Sequence, residues 1–273
     1  MFAFKPKIFF SDLDGTFLDN PKAKNEKEKV SHENIEAARA LNDAGIPFIL
    51  ATGRSNSDFV LWLTNEIHAP YAICQNGGII VDKNNNVLKK EEMRKDTVMR
   101  VVDVLKKERM CFIFNSSNKI YGPSGKMKIM RNWIKKLERY NYDNMPQFSD
   151  STKILTFGKL MRKNIIKVKD ELKANFINLA FHIVSRGYAI EINDINATKG
   201  KAEQFICKIM NIDPSFAVHF GDSGNDTTTI PYIGAFIAMK NSQKNIKKQA
   251  ALVTYGFKKS GVAKALKQFK NTI

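Results

Sequence analysis

Cysteine is scarce in this chain, and the little there is lies scattered. Cys74, Cys111 and Cys207 stand far apart, with no CxxC and no paired histidine spacing. An odd, sparse count of this kind argues against a disulfide framework and against a cysteine zinc site. Histidine is equally thin. His32, His68, His182 and His219 are isolated in the sequence, none beside a base–nucleophile pairing, so core or surface roles are expected for them. No apolar run approaches the ~20 residues that a membrane-spanning helix needs, and no membrane partner is expected. The opening MFAFKPKIFF is interrupted by Lys5, Pro6 and Lys7 and runs straight into acidic residues. That is a poor match to a secretory leader, and the cytoplasm is the expected location. Internal repeats and long low-complexity linkers are missing too.

What remains is the composition of an ordinary globular protein: 273 residues, 43% hydrophobic and 26% charged. That length suits one large domain or two modest ones with a proper core. The net charge of +17 is unevenly spread. Residues 1–82 carry 8 Lys/Arg against 11 Asp/Glu, residues 83–190 carry 24 against 10, and residues 191–273 carry 12 against 6. The middle is therefore the basic part. Such an excess invites a nucleic-acid reading, but no aromatic-basic motif supports it, so no specific nucleic-acid partner is expected. Steering of anionic metabolites is one use for the charge, and a codon bias towards Lys and Asn is its bland alternative.

The opening reads as strand, helix, strand, helix, strand. Ile8-Phe9-Phe10 is a short apolar run that ends at acidic residues, as a buried parallel strand does. Ser31 can cap a helix with Ile35, Ala38 and Leu41 on one face, which Gly45 stops. Residues 47–51 form a second buried strand, residues 57–68 suggest a helix, and residues 71–74 a third strand. This alternation indicates a parallel sheet wrapped by helices. The middle differs. A helix carries Val98, Val101, Val102 and Leu105, and Cys111–Asn115 with Lys119–Gly122 reads as a hairpin in which Phe112 and Phe114 face a core. A helix through Trp133 and Leu137 follows, then a strand at 154–157 and a helix through Ile165, Val168 and Leu172. Residues 179–184 and 188–192 form a second hairpin about Ser185-Arg186-Gly187. Hairpins imply antiparallel pairing and hence a second, inserted domain at 83–190, with 1–82 and 191–273 as the core. From 201 the parallel pattern resumes, with a helix to Met210 and strands at 217–220, 235–239 and 252–254.

Four clusters fall just beyond strand carboxyl ends, where open parallel sheets place their chemistry. In Asp12-Leu13-Asp14-Gly15-Thr16 two carboxylates at i and i+2 share one side of an extended backbone, and Gly15 permits the sharp turn that exposes them. One could attack phosphorus while the other handles the proton of the leaving group and of water. An EF-hand is excluded, because the glycine falls at loop position four and position twelve is Ala23. A glycosyltransferase DxD metal site stays open on this motif alone. Thr52-Gly53-Arg54 offers a hydroxyl and an open amide for phosphoryl oxygens, or merely a helix cap. Lys199 sits at a helix start, where the macrodipole disfavours it. Neutralising a carboxylate and a phosphate would explain it, as would plain solvation, with Lys201 the competitor for the role. In Gly221-Asp222-Ser223-Gly224-Asn225-Asp226, Asp222 is placed to complete an all-oxygen magnesium site with Asp12. Asn225 can donate to phosphate, and Asp226 can bind a metal-bound water or orient Lys199. The bland alternative is an acidic Gly-rich turn. Gly122-Pro123-Ser124-Gly125-Lys126 fails as a phosphate loop, because its first glycine is too close and no Ser or Thr follows the lysine.

In order and spacing, DLDGT at 12–16, ATGR at 51–54, Lys199 and GDSGND at 221–226 resemble the four motifs of the haloacid dehalogenase-like hydrolase superfamily. Asn76-Gly77-Gly78, Ala238-Met239-Lys240-Asn241, Val253-Thr254 and Gly261-Val262-Ala263 are similar to its Cof-like sugar-phosphatase branch, subclass IIB. The resemblance spans nearly the whole chain. It implies an α/β fold: a Rossmann-like, doubly wound parallel core with an inserted α/β cap that contains an antiparallel sheet. It also implies a magnesium-dependent phosphatase of small phosphorylated metabolites, sugar phosphates or similar, that works through a phosphoaspartyl intermediate. In that scheme Asp12 is the nucleophile and Asp14 the general acid and base. Mg2+ is held by the Asp12 carboxylate, the Asp14 carbonyl and Asp222. Thr52, Lys199 and Asn225 contact the transferring group, the Leu13 and Gly53 amides assist, and Asp226 stands behind them. Phosphoryl transfer needs in-line placement and charge neutralisation, which these residue types supply. A receiver-like phosphoacceptor protein also combines acids, a Thr, a Lys and a phosphoaspartate, but it lacks the second carboxylate and needs no inserted domain. A basic nucleic-acid-binding module is the third reading. Oligomeric partners cannot be read from this sequence.

Overall fold

The computed structural model describes residues 4–145 and 150–269. The chain separates into two compact units, one formed by residues up to Lys90 together with those from Asn196 onward, the other by Glu91–Ile195.

The first unit runs β1 (Ile8–Ser11), α1 (His32–Asp43), β2 (Phe48–Ala51), α2 (Asp58–Glu66), β3 (Tyr71–Cys74), β4 (Ile79–Asp82) and β5 (Val87–Lys90). Within the insertion come α3 (Lys95–Lys107), β6 (Cys111–Phe114), β7 (Lys119–Tyr121), α4 (Ser124–Ile129), β8 (Glu138–Tyr140), β9 (Ile154–Phe157), α5 (Arg162–Asn175), β10 (Leu179–Val184) and β11 (Ala189–Asp194). The first unit then resumes with α6 (Lys199–Ile209), β12 (Ala217–Gly221), β13 (Ala235–Ala238), α7 (Lys244–Lys247), β14 (Leu252–Val253) and α8 (Gly261–Phe269).

In the first unit eight strands lie in the order β14-β13-β12-β1-β2-β3-β4-β5. The run from β14 to β3 is parallel, and β4 and β5 add antiparallel. The apolar strands IFFS, FILA and AVHFG are buried along their whole length, as parallel strands covered on both faces must be. On one face Phe9, Leu13, Phe48, Leu50, Leu63 and Leu266 belong to the larger core, with residues of α1, α2 and α8. On the other, Ile8, Phe10, Ile49 and Ile73 meet Ala202, Ile206 and Cys207 of α6. The sheet continues past residue 82, the boundary expected from the sequence, because Val87–Lys90 adds an edge strand. Its Lys89 and Lys90 are the charged residues that blunt an exposed edge.

The register fixes where chemistry can occur. Ser11 is level with Leu50 of β2 and with Phe220 of β12. All three strands are parallel, so Asp12, Thr52 and Asp222 leave the sheet at one edge. Ser31 caps α1 by accepting from the Asn34 amide, and Gly45, at φ +79°, follows its end.

The second unit is a six-stranded sheet in the order β10-β11-β9-β6-β7-β8. All its pairs are antiparallel except β7 with β8. Helices α3 and α5 bury Val98, Val101, Val102, Leu105, Ile165, Val168 and Leu172 against one face. The helix expected through Trp133 and Leu137 is not formed. α4 stops at Ile129, Trp133 is exposed, and only Ile134 of the following turns is buried. The cause is topological: β8 pairs parallel to β7, so the chain must return to the start of β7 within this crossover. Among the described residues no helix is long and apolar enough to cross a membrane.

Candidate active site

At the edge where β1, β2 and β12 end, the two carboxylates of the first motif part company. Asp12 is buried, and its Oδ1 accepts from Lys199 Nζ at 2.5 Å. Asp14 points outwards, 60% exposed, and both of its oxygens are taken by Arg54: Nε to Oδ2 at 2.7 Å and a terminal nitrogen to Oδ1 at 2.7 Å. Arg54 is held in turn by Glu26 at 2.9 Å and lies over the Phe59 ring.

Lys199 begins α6 and is completely buried. Its second partner is Asp226 Oδ1 at 2.7 Å, so of the two lysines it is Lys199 that meets Asp12. Lys201 instead reaches Asn196 at 2.6 Å and is partly exposed. Asp226 is saturated: its Oδ2 accepts from the amides of Asp222 and Ser223, each at 2.9 Å. The loop after β12 is thereby folded around Asp226, which presents Asp222 towards Asp12. One oxygen from each of Asp12, Asp222 and Asp226 lies within 4.8 Å of the others.

Gly15 belongs to this geometry. Its φ is +86°, and a Cβ there would sit 2.4 Å from Asp222 Oδ2, so a side chain would be strained and would displace the second acidic loop. Thr52 is buried, and its Oγ1 accepts from the Arg54 amide at 3.1 Å. Asn225 donates to Asn76 Oδ1 at 2.8 Å, while the Asn76 amide donates to the Thr52 carbonyl at 2.9 Å. Asn76 thus ties the β2 loop to the β12 loop. The Leu13 side chain is packed in the core, and Gly53 lies against Asn76.

Five side chains around these were given no site role from the sequence. Arg54, Asn76 and Asn241 lay inside motifs already noted. Asn241 bridges the Gly15 carbonyl at 2.9 Å and Asp222 Oδ2 at 3.1 Å. His219 is a core residue, as its isolation suggested, but its partners are charged: Nε2 lies 3.1 Å from Asp226 Oδ1 and Nδ1 lies 2.6 Å from Glu203 Oε1. The available signals were periodicity alone. Glu203 is four residues after Lys199, on the same helix face, and His219 alternates with Phe220 on a strand that is otherwise apolar.

The charges interlock. Burial raises the Asp12 carboxyl to about 6 despite Lys199, with Asp226 pushing the same way. Burial also raises Asp222 to about 7, helped by Asp12 and Asp226. Burial alone would lift Asp226 too, but Lys199 and His219 outweigh it and hold that carboxyl well below the usual range. Lys199, which burial would neutralise, is kept charged by Asp12 and Asp226. Asp12 and Asp222 therefore resist ionising side by side, a conflict that a divalent cation would relieve. An all-oxygen donor set fits a hard cation such as Mg2+.

A buried lysine, a strand-end carboxylate, a hydroxyl and a loop of amides at the carboxyl edge of a parallel sheet suit the handling of a phosphoryl group. The comparisons agree. The model of the haloacid dehalogenase-like hydrolase family matches residues 9–266, and the chain belongs to that family, in its Cof-like branch; it is a phosphatase. It is 24% identical to a phosphoglycolate phosphatase of Methanobrevibacter smithii over 94% of this chain and 96% of that one. It is 26% identical to the 5-amino-6-(5-phospho-D-ribitylamino)uracil phosphatase YwtE of Bacillus subtilis, over 94% and 96%. Among solved structures, the haloacid dehalogenase superfamily phosphatase BT1666 of Bacteroides thetaiotaomicron shares the fold with a TM-score of 0.81 at 19% identity, over 98% of this chain and 96% of that one.

Proposed function

We propose that this chain hydrolyses small phosphorylated metabolites with Mg2+, by transferring the phosphoryl group to Asp12. The observation that carries this reading is the convergence of Lys199, Asp12 and Asp222 at one strand edge, with Lys199 fully buried between two carboxylates. Lys199 orients Asp12 and offsets its charge, so that an anionic phosphoryl group can approach an anionic nucleophile. The Asp12 carboxylate, the Asp14 backbone carbonyl and Asp222 would hold the metal, which would supply positive charge against the phosphoryl oxygens. Thr52, Asn225 and the amides of Leu13 and Gly53 would position those oxygens. Asp14 would protonate the leaving oxygen and then activate water against the phosphoaspartate, after release from Arg54. The inserted unit would act as the cap that selects the substrate. The relatives are named for phosphoglycolate and a phosphoribitylamino-uracil, which supports small phosphomonoesters as a class without choosing among them.

A screen of phosphorylated metabolites and p-nitrophenyl phosphate, with and without Mg2+, tests this directly. Wild type should turn over only with the metal. Asp12→Asn should lose more than about a thousandfold, ~4 kcal/mol of transition-state stabilisation, and form no acid-stable phosphoenzyme. Full activity in that variant would rule out the mechanism.

A further inference from the structure

Two fully buried charged residues have no part in the scheme above. Glu203 lies on α6 one turn beyond Lys199, and His219 lies on β12 three residues before Asp222; neither exposes any side-chain surface. From Glu203 the contacts run in a line: Glu203 Oε1 to His219 Nδ1 at 2.6 Å, His219 Nε2 to Asp226 Oδ1 at 3.1 Å, Asp226 Oδ1 to Lys199 Nζ at 2.7 Å, and Lys199 Nζ to Asp12 Oδ1 at 2.5 Å.

We propose that Glu203 and His219 are positioning residues, a buried pair that fixes Asp226 from behind so that Lys199 and the Asp222 loop stand ready for phosphoryl transfer. Asp226 Oδ1 is shared between the ammonium in front and the imidazole behind, while Oδ2 is held by two loop amides. Without the rear contact the carboxylate could rotate about its terminal torsion, which is broad for Asp. Lys199 and the Asp222 amide would then lose their common anchor. Glu203 completes the device by facing the other ring nitrogen: between two carboxylates the ring is held as imidazolium, whose Nε2–H donates to Asp226 while Nδ1–H donates to Glu203. The pair adds one positive and one negative charge, leaving the net charge of the site unchanged. Its largest effect is therefore orientation. Apolar residues would fill the same space between α6 and β12, where Phe236 stacks on the imidazole and Ile206 and Ala217 are buried nearby. A purely structural need could be met without charge.

This inference rests on the phosphatase reading, and the test separates the two. Mg2+-dependent hydrolysis of p-nitrophenyl phosphate by wild type is the control; its failure would strike the phosphatase reading, not the relay. Given that activity, His219→Leu combined with Glu203→Leu should fold, with a melting temperature no lower than wild type by more than a few degrees. Its kcat should fall by about 10–100-fold, the scale of outer-shell losses, with KM changed less than about threefold and a weaker Mg2+ requirement curve. His219→Gln, which keeps an N–H for Asp226, should recover most of kcat. If the double variant fails to fold, the comparison of His219→Gln with Glu203→Gln carries the test: the first should keep most of kcat, and the second should lower kcat more than KM. A folded double variant with wild-type kcat would overturn the proposal, as would equal losses in the glutamine and leucine variants at position 219.

Discussion

The two carboxylates that open the first motif are two residues apart in sequence and live under opposite rules. Asp12 is buried and held by a lysine that is itself clamped by Asp226. Asp14 is 60% exposed and tied to a surface arginine that shares Glu26. The first arrangement suits a group that must hold one geometry throughout a reaction, because ordering and desolvation are complete before substrate arrives. The second suits a group that must move and exchange a proton, because exposed ion pairs are cheap to break. The molecule thus divides its site into a set half and a loose half.

The sharpest way to break that comparison is at Lys199. Lys199→Met should remove the cation shared by Asp12 and Asp226, destabilising the protein by about 3–5 kcal/mol because two buried carboxylates lose their partner. Activity should fall more than about a hundredfold. Urea unfolding with Mg2+ chelated would read the first effect and single-turnover kinetics the second.

The set half should also show in the pH dependence of stability. Burial would lower His219, but Glu203 and Asp226 outweigh it and raise the imidazole to about 9. A group raised in the folded state contributes fully below its unfolded value near 6.5 and loses that contribution as pH rises through about 9. Stability should therefore decline between about pH 6.5 and 9, by no more than roughly 3 kcal/mol from this group. Urea midpoints at pH 6.5 and 9.5 check it, and the decline should flatten in His219→Gln.

In the loose half, Arg54→Ala should change stability by less than about 1 kcal/mol, since the pair is exposed. Its effect belongs to kinetics. A change in kcat for an alkyl phosphate, larger than that for p-nitrophenyl phosphate whose leaving group needs no proton, would tie Arg54 to the placement of Asp14. Equal changes would place it in substrate binding. The smallest effect concerns the basic middle of the chain. If it steers anionic substrates, kcat/KM should fall several-fold from low to physiological ionic strength while kcat holds. A flat response would leave the charge without a kinetic role.

The sequence was most legible where chemistry and backbone coincide. Asp12, Thr52 and Asp222 each follow a short apolar run, and parallel strands put the ends of such runs on one edge. Gly15 was legible as a turn but not as the gap into which Asp222 fits, because its neighbour lies two hundred residues on. Glu203 and His219 were illegible for the same reason. A polar residue on a buried strand and an acid one helical turn from Lys199 become a pair only when α6 is docked on β12, and no local pattern states that docking. The edge strand Val87–Lys90 was missed because its lysines and exposure conceal the alternation by which strands are read. The crossover after Ile129 misled by composition: Trp133 and Leu137 keep helical spacing, yet the parallel partner of β7 sets where the chain must arrive.

Because β1 pairs with β12, Ile8 beside Ala217, the central seam of the first unit joins segments made about two hundred residues apart. Closing so long a loop costs entropy before any contact repays it. On a ribosome the insertion, whose strands neighbour one another closely in sequence, can fold while Asp12 still waits for Lys199. The candidate site is then among the last parts to assemble, and an incomplete chain carries Asp12 without Lys199 or Asp222 to face it.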